Sequence, residues 1–186
     1  GLGTKAGRPV GHPVWVLEKE NEALMDLLST IDSTVAKATA AQDNAITELG
    51  RLMDSLLDIK KHYGKKENLW FPRMEQHGIT APPKVMWGVD DEIRAQIKTV
   101  RDAIASPLPA SWTADYQAVR QRIVDMVSKE ENILTPMVSG VFTDDDWNLI
   151  AEGTEEIGFF LIDGRPALFY AAQRAPVRHH AREEKP

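Results

Sequence analysis

The 186-residue sequence contains no cysteine. This absence excludes disulfide bridges, thiolate zinc sites, iron–sulfur clusters and the attachment of c-type haem. Any metal ion would have to be bound by histidine, carboxylate, tyrosine or methionine side chains.

Long apolar runs and an excess of positive charge are missing as well. No segment approaches the roughly 20 apolar residues that span a bilayer, and residues 1–9 contain no apolar part of a secretory signal. We therefore expect a cytoplasmic protein that does not associate with membranes. The formal net charge of −6 argues against a nucleic-acid partner, because such a partner needs a surface rich in lysine and arginine.

Apolar residues recur at helical spacing through most of the chain. The pattern predicts four long helices, which run from Val14 to Thr39, from Asp43 or Asn44 toward Gly78, from Lys84 to Ala105, and from Ser111 or Thr113 to Val138. Four amphipathic helices with short connections predict an all-α protein that folds as an antiparallel up-and-down four-helix bundle.

The predicted bundle occupies residues 12–141 and is flanked by two smaller segments. Residues 1–11 form a lead-in that is rich in glycine and proline. Residues 142–186 are expected to contain a short fifth helix after Thr143, a strand-like run at 157–162, and a mobile tail. The segment PALFYAA either pairs with that run in a hairpin or packs on the bundle. The tail carries His179 and His180, to which we assign no role.

One local sequence occurs twice. HYGKKENLWFP at 62–72 has an echo in MVSKEENILTP at 126–136, and each copy would lie late in a long helix. Gly64 and Pro72 predict an irregularity in the first copy. Only the first copy begins with histidine, since the position equivalent to His62 in the second copy is Met126.

A carboxylate of the first copy falls on the apolar face of its helix. Glu67 shares a stripe with Leu49, Met53 and Tyr63, whereas His62 diverges from Glu67 by about 140° on a regular helix. A single π-helical turn would bring His62 and Glu67 together; otherwise Tyr63 is the facing partner of Glu67.

The second copy leaves its carboxylate undecided. Helical geometry places Glu130 at the centre of the apolar face, whereas the repeat makes Glu131 the counterpart of Glu67. Two further candidate metal ligands lie elsewhere in the chain. His12 stands at the start of the first helix, as a cap or a ligand, and Asp90, with Trp87 nearby, is the member of its acidic cluster that best fits an inward position.

The segments GHPVWVLEKENEAL, HYGKKENLWFPRMEQHGI, VMWGVDDEIR, KEENILTPM and EIGFFLI resemble, in this order, a bacterial and archaeal group of hemerythrin-like domains of the HHE cation-binding type, in which a PAS sensor domain can follow. The resemblance spans about residues 8–163. It implies a four-helix bundle with a non-haem iron centre that binds or senses O2 or NO. By position it implies His12, His62, Glu67 and Glu131 as metal ligands.

The sequence also departs from that family pattern. A hemerythrin site normally has five histidines and two bridging carboxylates, but here the third-helix position is Asp90 and the fourth-helix position is Met126. Three outcomes stay open. The bundle holds a mono- or dinuclear non-haem iron site, or it binds b-type haem through a histidine as axial ligand, with Tyr63, Trp87 and Met126 lining the pocket. In the third outcome it holds no metal and acts as an interaction or sensor module. Enzymatic turnover and a homodimer are left open as well.

Overall fold

In the described part of the chain, four helical segments pack around one main apolar core. The computed structural model describes the backbone of residue 4 and residues 7–183, and the side chains as far as residue 174. The first segment is α1 (Pro13–Thr39), and the third is α5 (Ala81–Asp102). The second consists of α2 (Ala45–Leu57), α3 (Ile59–Lys65), a first π-helical turn (Lys66–Trp70) and α4 (Phe71–Gln76). The fourth consists of α6 (Trp112–Lys129), a second π-helical turn (Glu130–Leu134) and α7 (Thr135–Ser139).

The four segments pack in a ring, in which α1 contacts α2 and α6, and α5 contacts the same two helices. Their facing surfaces carry the apolar residues whose spacing predicted the helices, including Leu24, Leu28, Leu49, Met53, Ile93, Ile97, Val119 and Ile123, which are all buried. Fold and class therefore agree with the sequence-based prediction of an all-helical bundle. Within the described residues no strand is present and no helix is long and apolar enough to cross a membrane.

The helix boundaries follow from local chemistry. Helix α5 begins at Ala81, three residues before the predicted start at Lys84. Pro82 and Pro83 fit a first helical turn, because backbone N–H groups there have no partner within the helix. A capping box of Thr143 and Asp146 starts α8 (Asp144–Ile157).

Both repeat copies contain a π-helical turn. The N–H of Phe71 donates to the carbonyl of Lys66, and the N–H of Thr135 donates to that of Glu130, five residues back in each case. Pro72 and Pro136 each lie two residues after the last residue of a π-helical turn. In a regular α-helix the ring of a proline clashes with the carbonyl four residues before it. The wider turn is consistent with that demand. The predicted irregularity is therefore present and occurs in both copies.

Of the two alternatives for PALFYAA at the C-terminal end, the hairpin is wrong, and packing on the bundle is the one that the geometry favours. Residues 158–164 form a loop, and the segment that contains PALFYAA lies in α9 (Arg165–Glu183). Asp163 accepts a hydrogen bond from the N–H of Arg165 at 3.0 Å, which starts the helix, and Ala167 and Tyr170, three residues apart, are buried on one face. The apolar residues of 157–162 pack as separate side chains instead of pairing. The tail predicted to be mobile lies outside the residues whose side chains are described.

Candidate functional site

Charged side chains gather inside the bundle, where apolar residues would be expected. We call this group the ion network. All of its members except Arg94 are buried, and it consists of Glu20, His62, Lys65, Lys66, Glu67, Asp90, Arg94 and Glu130. Charges removed from water are strongly destabilising unless they are paired, so each of them must have a partner nearby.

His62 lies between two carboxylates. Its Nδ1 is 2.8 Å from Glu20 Oε1, and its Nε2 is 2.8 Å from Glu130 Oε1. Burial alone would lower the pKa of His62, but the attraction of Glu130, followed by that of Glu20, raises it to about 9. His62 is therefore an imidazolium that donates a hydrogen bond from both nitrogens at neutral pH.

Lys66 is fully buried at the centre of the network. Its Nζ lies 2.8 Å from Glu130 Oε2 and 3.0 Å from Asp90 Oδ1, and 4.5 Å from the centre of the Tyr63 ring. Burial would lower the pKa of Lys66, but Glu130 and Asp90 raise it, so the ammonium stays charged. Burial likewise acts to raise the pKa of Glu130, which His62 and Lys66 lower to about 2.

The two carboxylates around Lys66 are not equivalent. Burial raises the pKa of Asp90 to about 7 despite the attraction of Lys66, and Asp90 Oδ2 has no hydrogen-bond partner. The Tyr63 hydroxyl is also buried without a partner, and burial, Glu130 and Asp90 raise its pKa well above its usual range.

The remaining members connect the network to the surrounding helices. Glu67 Oε2 accepts a hydrogen bond from Arg94 at 2.8 Å, and Arg94 lies 5.8 Å from the centre of the Tyr63 ring. Glu67 therefore pairs with Arg94 of α5 rather than with Tyr63 or His62. The undecided carboxylate of the second copy is also placed. Glu130 is fully buried, Glu131 is half-buried at the border, and Asn21 donates to both at 3.0 Å.

His12 takes part in a different environment. Its Nδ1 accepts a hydrogen bond from the N–H of Val14 at 2.9 Å and so caps α1. Its ring packs on Trp147 and Tyr170, with ring centres 4.6 and 5.6 Å apart. Burial, followed by the charges of Arg8 and Arg174, lowers the pKa of His12 to about 3, so it is neutral. The capping alternative is the one that the geometry favours.

The residues expected to line a cofactor pocket lie in different surroundings. Tyr63 and Met126 are buried in the main core, whereas Trp87 is 41% exposed and packs on Phe71 with ring centres 6.3 Å apart. Of the predicted metal ligands, His62, Asp90 and Glu130 meet at the centre of the bundle; Glu67 lies at the edge of this group, and Glu131 contacts it through Asn21.

Sequence reasoning missed Glu20, Lys65, Lys66 and Arg94. Glu20 lies three residues after Leu17 and four before Leu24, on the apolar face of α1, and this position could have identified it. Lys66 is the repeat counterpart of Glu130, whose central position was predicted. Lysine was not considered because it is almost never fully buried unless it is paired.

Residues 12–138 match the model of the hemerythrin HHE cation-binding domain. This chain belongs to the hemerythrin family. No curated protein matches the chain. The family match agrees with the resemblance inferred from the sequence segments, and it implies, for the family as a whole, a metal cation bound in the bundle, iron in the case of hemerythrin.

The side chains present do not fit such a centre. A ligating histidine needs a free nitrogen lone pair, but each nitrogen of His62 hydrogen bonds to a carboxylate at 2.8 Å. The ammonium of Lys66 stands between Asp90 and Glu130, where a metal ion would have to bind them both. Within the part of the chain that the structure describes, no three histidine or carboxylate side chains are arranged to hold a metal ion.

The charges of the ion network point the same way. Four carboxyl groups, those of Glu20, Glu67, Asp90 and Glu130, face two lysines, one arginine and the imidazolium of His62. With Asp90 ionised, negative and positive charges are equal in number, and with Asp90 protonated the group already has one excess positive charge. A divalent cation added to this group would leave an excess of at least two positive charges in a buried site, which is strongly unfavourable.

Proposed function

We propose that this chain is a hemerythrin-family bundle in which the ion network stands in place of the metal centre, and that it serves as a metal-independent interaction or sensor module. The single observation that carries the proposal is the ammonium of Lys66, buried within 3.0 Å of both Asp90 and Glu130. A permanent internal cation supplies the positive charge that these carboxylates need. The bundle is then stable without iron and has no open coordination position for O2 or NO.

A second candidate is the function that the family match favours, in which a non-haem iron binds O2 or NO. Two buried oxygens without partners, Tyr63 Oη and Asp90 Oδ2, are of the ligand type that iron accepts. Under this alternative Lys66 and the proton of His62 would have to leave before iron could bind. His62, Asp90 and Glu130 would then be ligands, and Glu67 and Glu131 would be supporting carboxylates.

Iron analysis and optical spectra of protein purified from iron-supplied cells separate the two candidates. We expect iron far below one atom per chain, no Soret band, and no spectral change on addition of O2 or NO. The same protein should also fail to take up ferrous iron anaerobically. Stoichiometric iron that is lost when His62 and Glu130 are both replaced by alanine would overturn the first candidate in favour of the second. A Soret band would instead support haem.

The variant Lys66→Met provides the matched comparison. It keeps the length and apolar stem of lysine but removes the charge. If the ammonium is what excludes a metal ion, this variant should take up a divalent ion such as Co²⁺ that the unaltered protein refuses. Lys129→Met is the control, because Lys129 is the exposed counterpart of Lys65 in the second repeat copy.

A further inference from the structure

The C-terminal part of the described chain packs on the bundle partly through Phe160, which is buried in the main core, and partly through an apolar cluster of its own. We call the loop 158–164 together with α9 the arm. Its contacts with the beginning of α1 form a cluster separate from the main core, made of Trp15, Val16, Ala167, Phe159 and Ile162. Only the first three of these are buried. Among its described residues the arm has three buried apolar side chains, those of Phe160, Ala167 and Tyr170, which is fewer than each of the four helical segments of the bundle has. Because apolar burial is the main term that holds such segments, the arm is expected to open at a lower free energy than those four segments.

Two charged residues of the ion network hold the loop of the arm. Glu20 Oε2 accepts a hydrogen bond from the backbone N–H of Phe160 at 2.7 Å. Lys65 Nζ lies 2.9 Å from the same oxygen and donates to the backbone carbonyl of Gly158. The loop is therefore bound at two backbone positions, one an acceptor and one a donor, to a single ion pair inside the bundle.

The carboxylate that holds the loop is also part of the network's centre. Glu20 Oε1 is 2.8 Å from His62 Nδ1, while its other oxygen holds Phe160. Glu20 is fully buried and cannot move toward one partner without weakening its contact with the other. The state of the network and the position of the loop are consequently linked through one side chain.

We propose that the arm is a releasable cover over Trp15 and Val16, and that Glu20 and Lys65 form the latch that couples its release to the ion network. The latch contacts do not depend on what the protein senses or binds, so this inference does not rest on the proposed function. It assigns to the loop a regulatory role that a plain connection between α8 and α9 would not have.

Hydrogen exchange measured by mass spectrometry on the whole chain tests the proposal. In the unaltered protein the amides of 158–174 should exchange faster than those of α5 and α6. Lys65→Met and Glu20→Gln should each raise arm exchange at least about tenfold relative to these two helices, the effect of losing one hydrogen bond to a charged group. Oxidative labelling of Trp15 should rise in parallel.

Two controls separate the latch from general destabilisation. Lys129→Met changes the exposed counterpart of Lys65 in the second copy and should not raise arm exchange. Lys66→Met, which contacts the network but not the loop, should raise it through Glu130, His62 and Glu20. Gly11→Ala should open the arm from outside the latch, because a Cβ there would lie 2.3 Å from the carbonyl oxygen of Pro166 and because Gly11 has a φ of +86°. Arm exchange that rises in Gly11→Ala but not in Lys65→Met would overturn the proposal. So would an arm in the unaltered protein that is as protected as α5 and α6. If Glu20→Gln fails to fold, Lys65→Met decides.

Discussion

The two repeat copies share a backbone design but carry opposite charges at their inward positions. Each has a π-helical turn followed by a proline, and each turn begins with a fully buried charged residue, Lys66 in the first copy and Glu130 in the second. These two equivalent residues pair with each other, with Nζ and Oε2 2.8 Å apart. The repeat therefore produces an internal ion pair, where two identical copies would have placed like charges together.

The first residue of each copy differs in the same sense. His62 carries a proton between Glu20 and Glu130, whereas Met126 is an apolar member of the main core. The first copy supplies the positive charges of the centre, while the second supplies its main carboxylate. The two similar segments therefore form a complementary charge pair rather than a symmetric one, and the following predictions test that division of roles.

The largest effect is expected from Lys66→Met. Removing one partner of a buried ion pair typically destabilises a protein by about 3–5 kcal/mol, because the other charge remains unpaired. Chemical denaturation at neutral pH measures the loss. Lys129→Met should change the free energy of unfolding by no more than about 0.5 kcal/mol, since Lys129 is exposed. Equal losses in the two variants would contradict the assigned difference between the copies.

The pH dependence of stability should reveal the proton on His62. The pKa of His62 is raised to about 9 in the folded state, above the value of 6.5 for an unperturbed histidine. Its contribution is therefore fully present below pH 6.5 and is lost as the pH rises to about 9, a change of about 3 kcal/mol at most. Denaturation curves between pH 6 and 10 measure it. His62→Met, which imitates the second copy, should remove this part of the pH slope, and an unchanged slope would rule out the assignment.

A smaller difference should separate the equivalent carboxylates Glu67 and Glu131. Glu67 is buried and paired with Arg94, so Glu67→Gln should lower the free energy of unfolding by about 1–2 kcal/mol. Glu131 is half-buried, and Asn21 contacts Glu130 as well, so Glu131→Gln should have an effect of about 0.5 kcal/mol. Thermal unfolding of the two variants side by side provides the comparison, and a larger loss in Glu131→Gln would reverse it.

The smallest effect is expected from the prolines that follow the π-helical turns. In Pro72→Ala and Pro136→Ala the restored N–H removes the need for a wide turn, so we expect changes in stability below about 1 kcal/mol in either direction. A crystal structure of each variant shows whether the turn persists. A regular helix in Pro72→Ala would turn Lys66 away from Glu130 and would show that the proline, rather than the ion pair, maintains the turn.

Much of the architecture could be predicted from the sequence, because the spacing of apolar residues along the chain indicates each helix of a bundle and its buried face. Leu17, Leu24 and Leu28 mark the buried face of α1 before any tertiary contact is known, and the four predicted helices agree with the structure to within a few residues at most ends. The hairpin prediction failed because a short apolar run such as FFLI does not distinguish a strand from a loop whose side chains pack separately.

The candidate site was predictable only in part. A carboxylate on an apolar face identifies an unusual position, and this reasoning found Glu130 and Glu67. It could not identify their partners, because a lysine or arginine from another helix looks like an ordinary surface residue in the sequence. The sequence left two roles open for His12, and the choice of the cap depends on the N–H of Val14 and on the neighbouring rings of Trp147 and Tyr170.

By itself the sequence determined the helical class, the absence of thiolate chemistry, the repeat and the family, since all of these depend on residue type and on spacing along the chain. Only the tertiary structure decided that Lys66 is the cation between Asp90 and Glu130 and that Glu20 joins the core to the C-terminal loop. The physical reason is that the stability of a buried charge depends on partners contributed by distant segments, and their distances are set by how the helices pack.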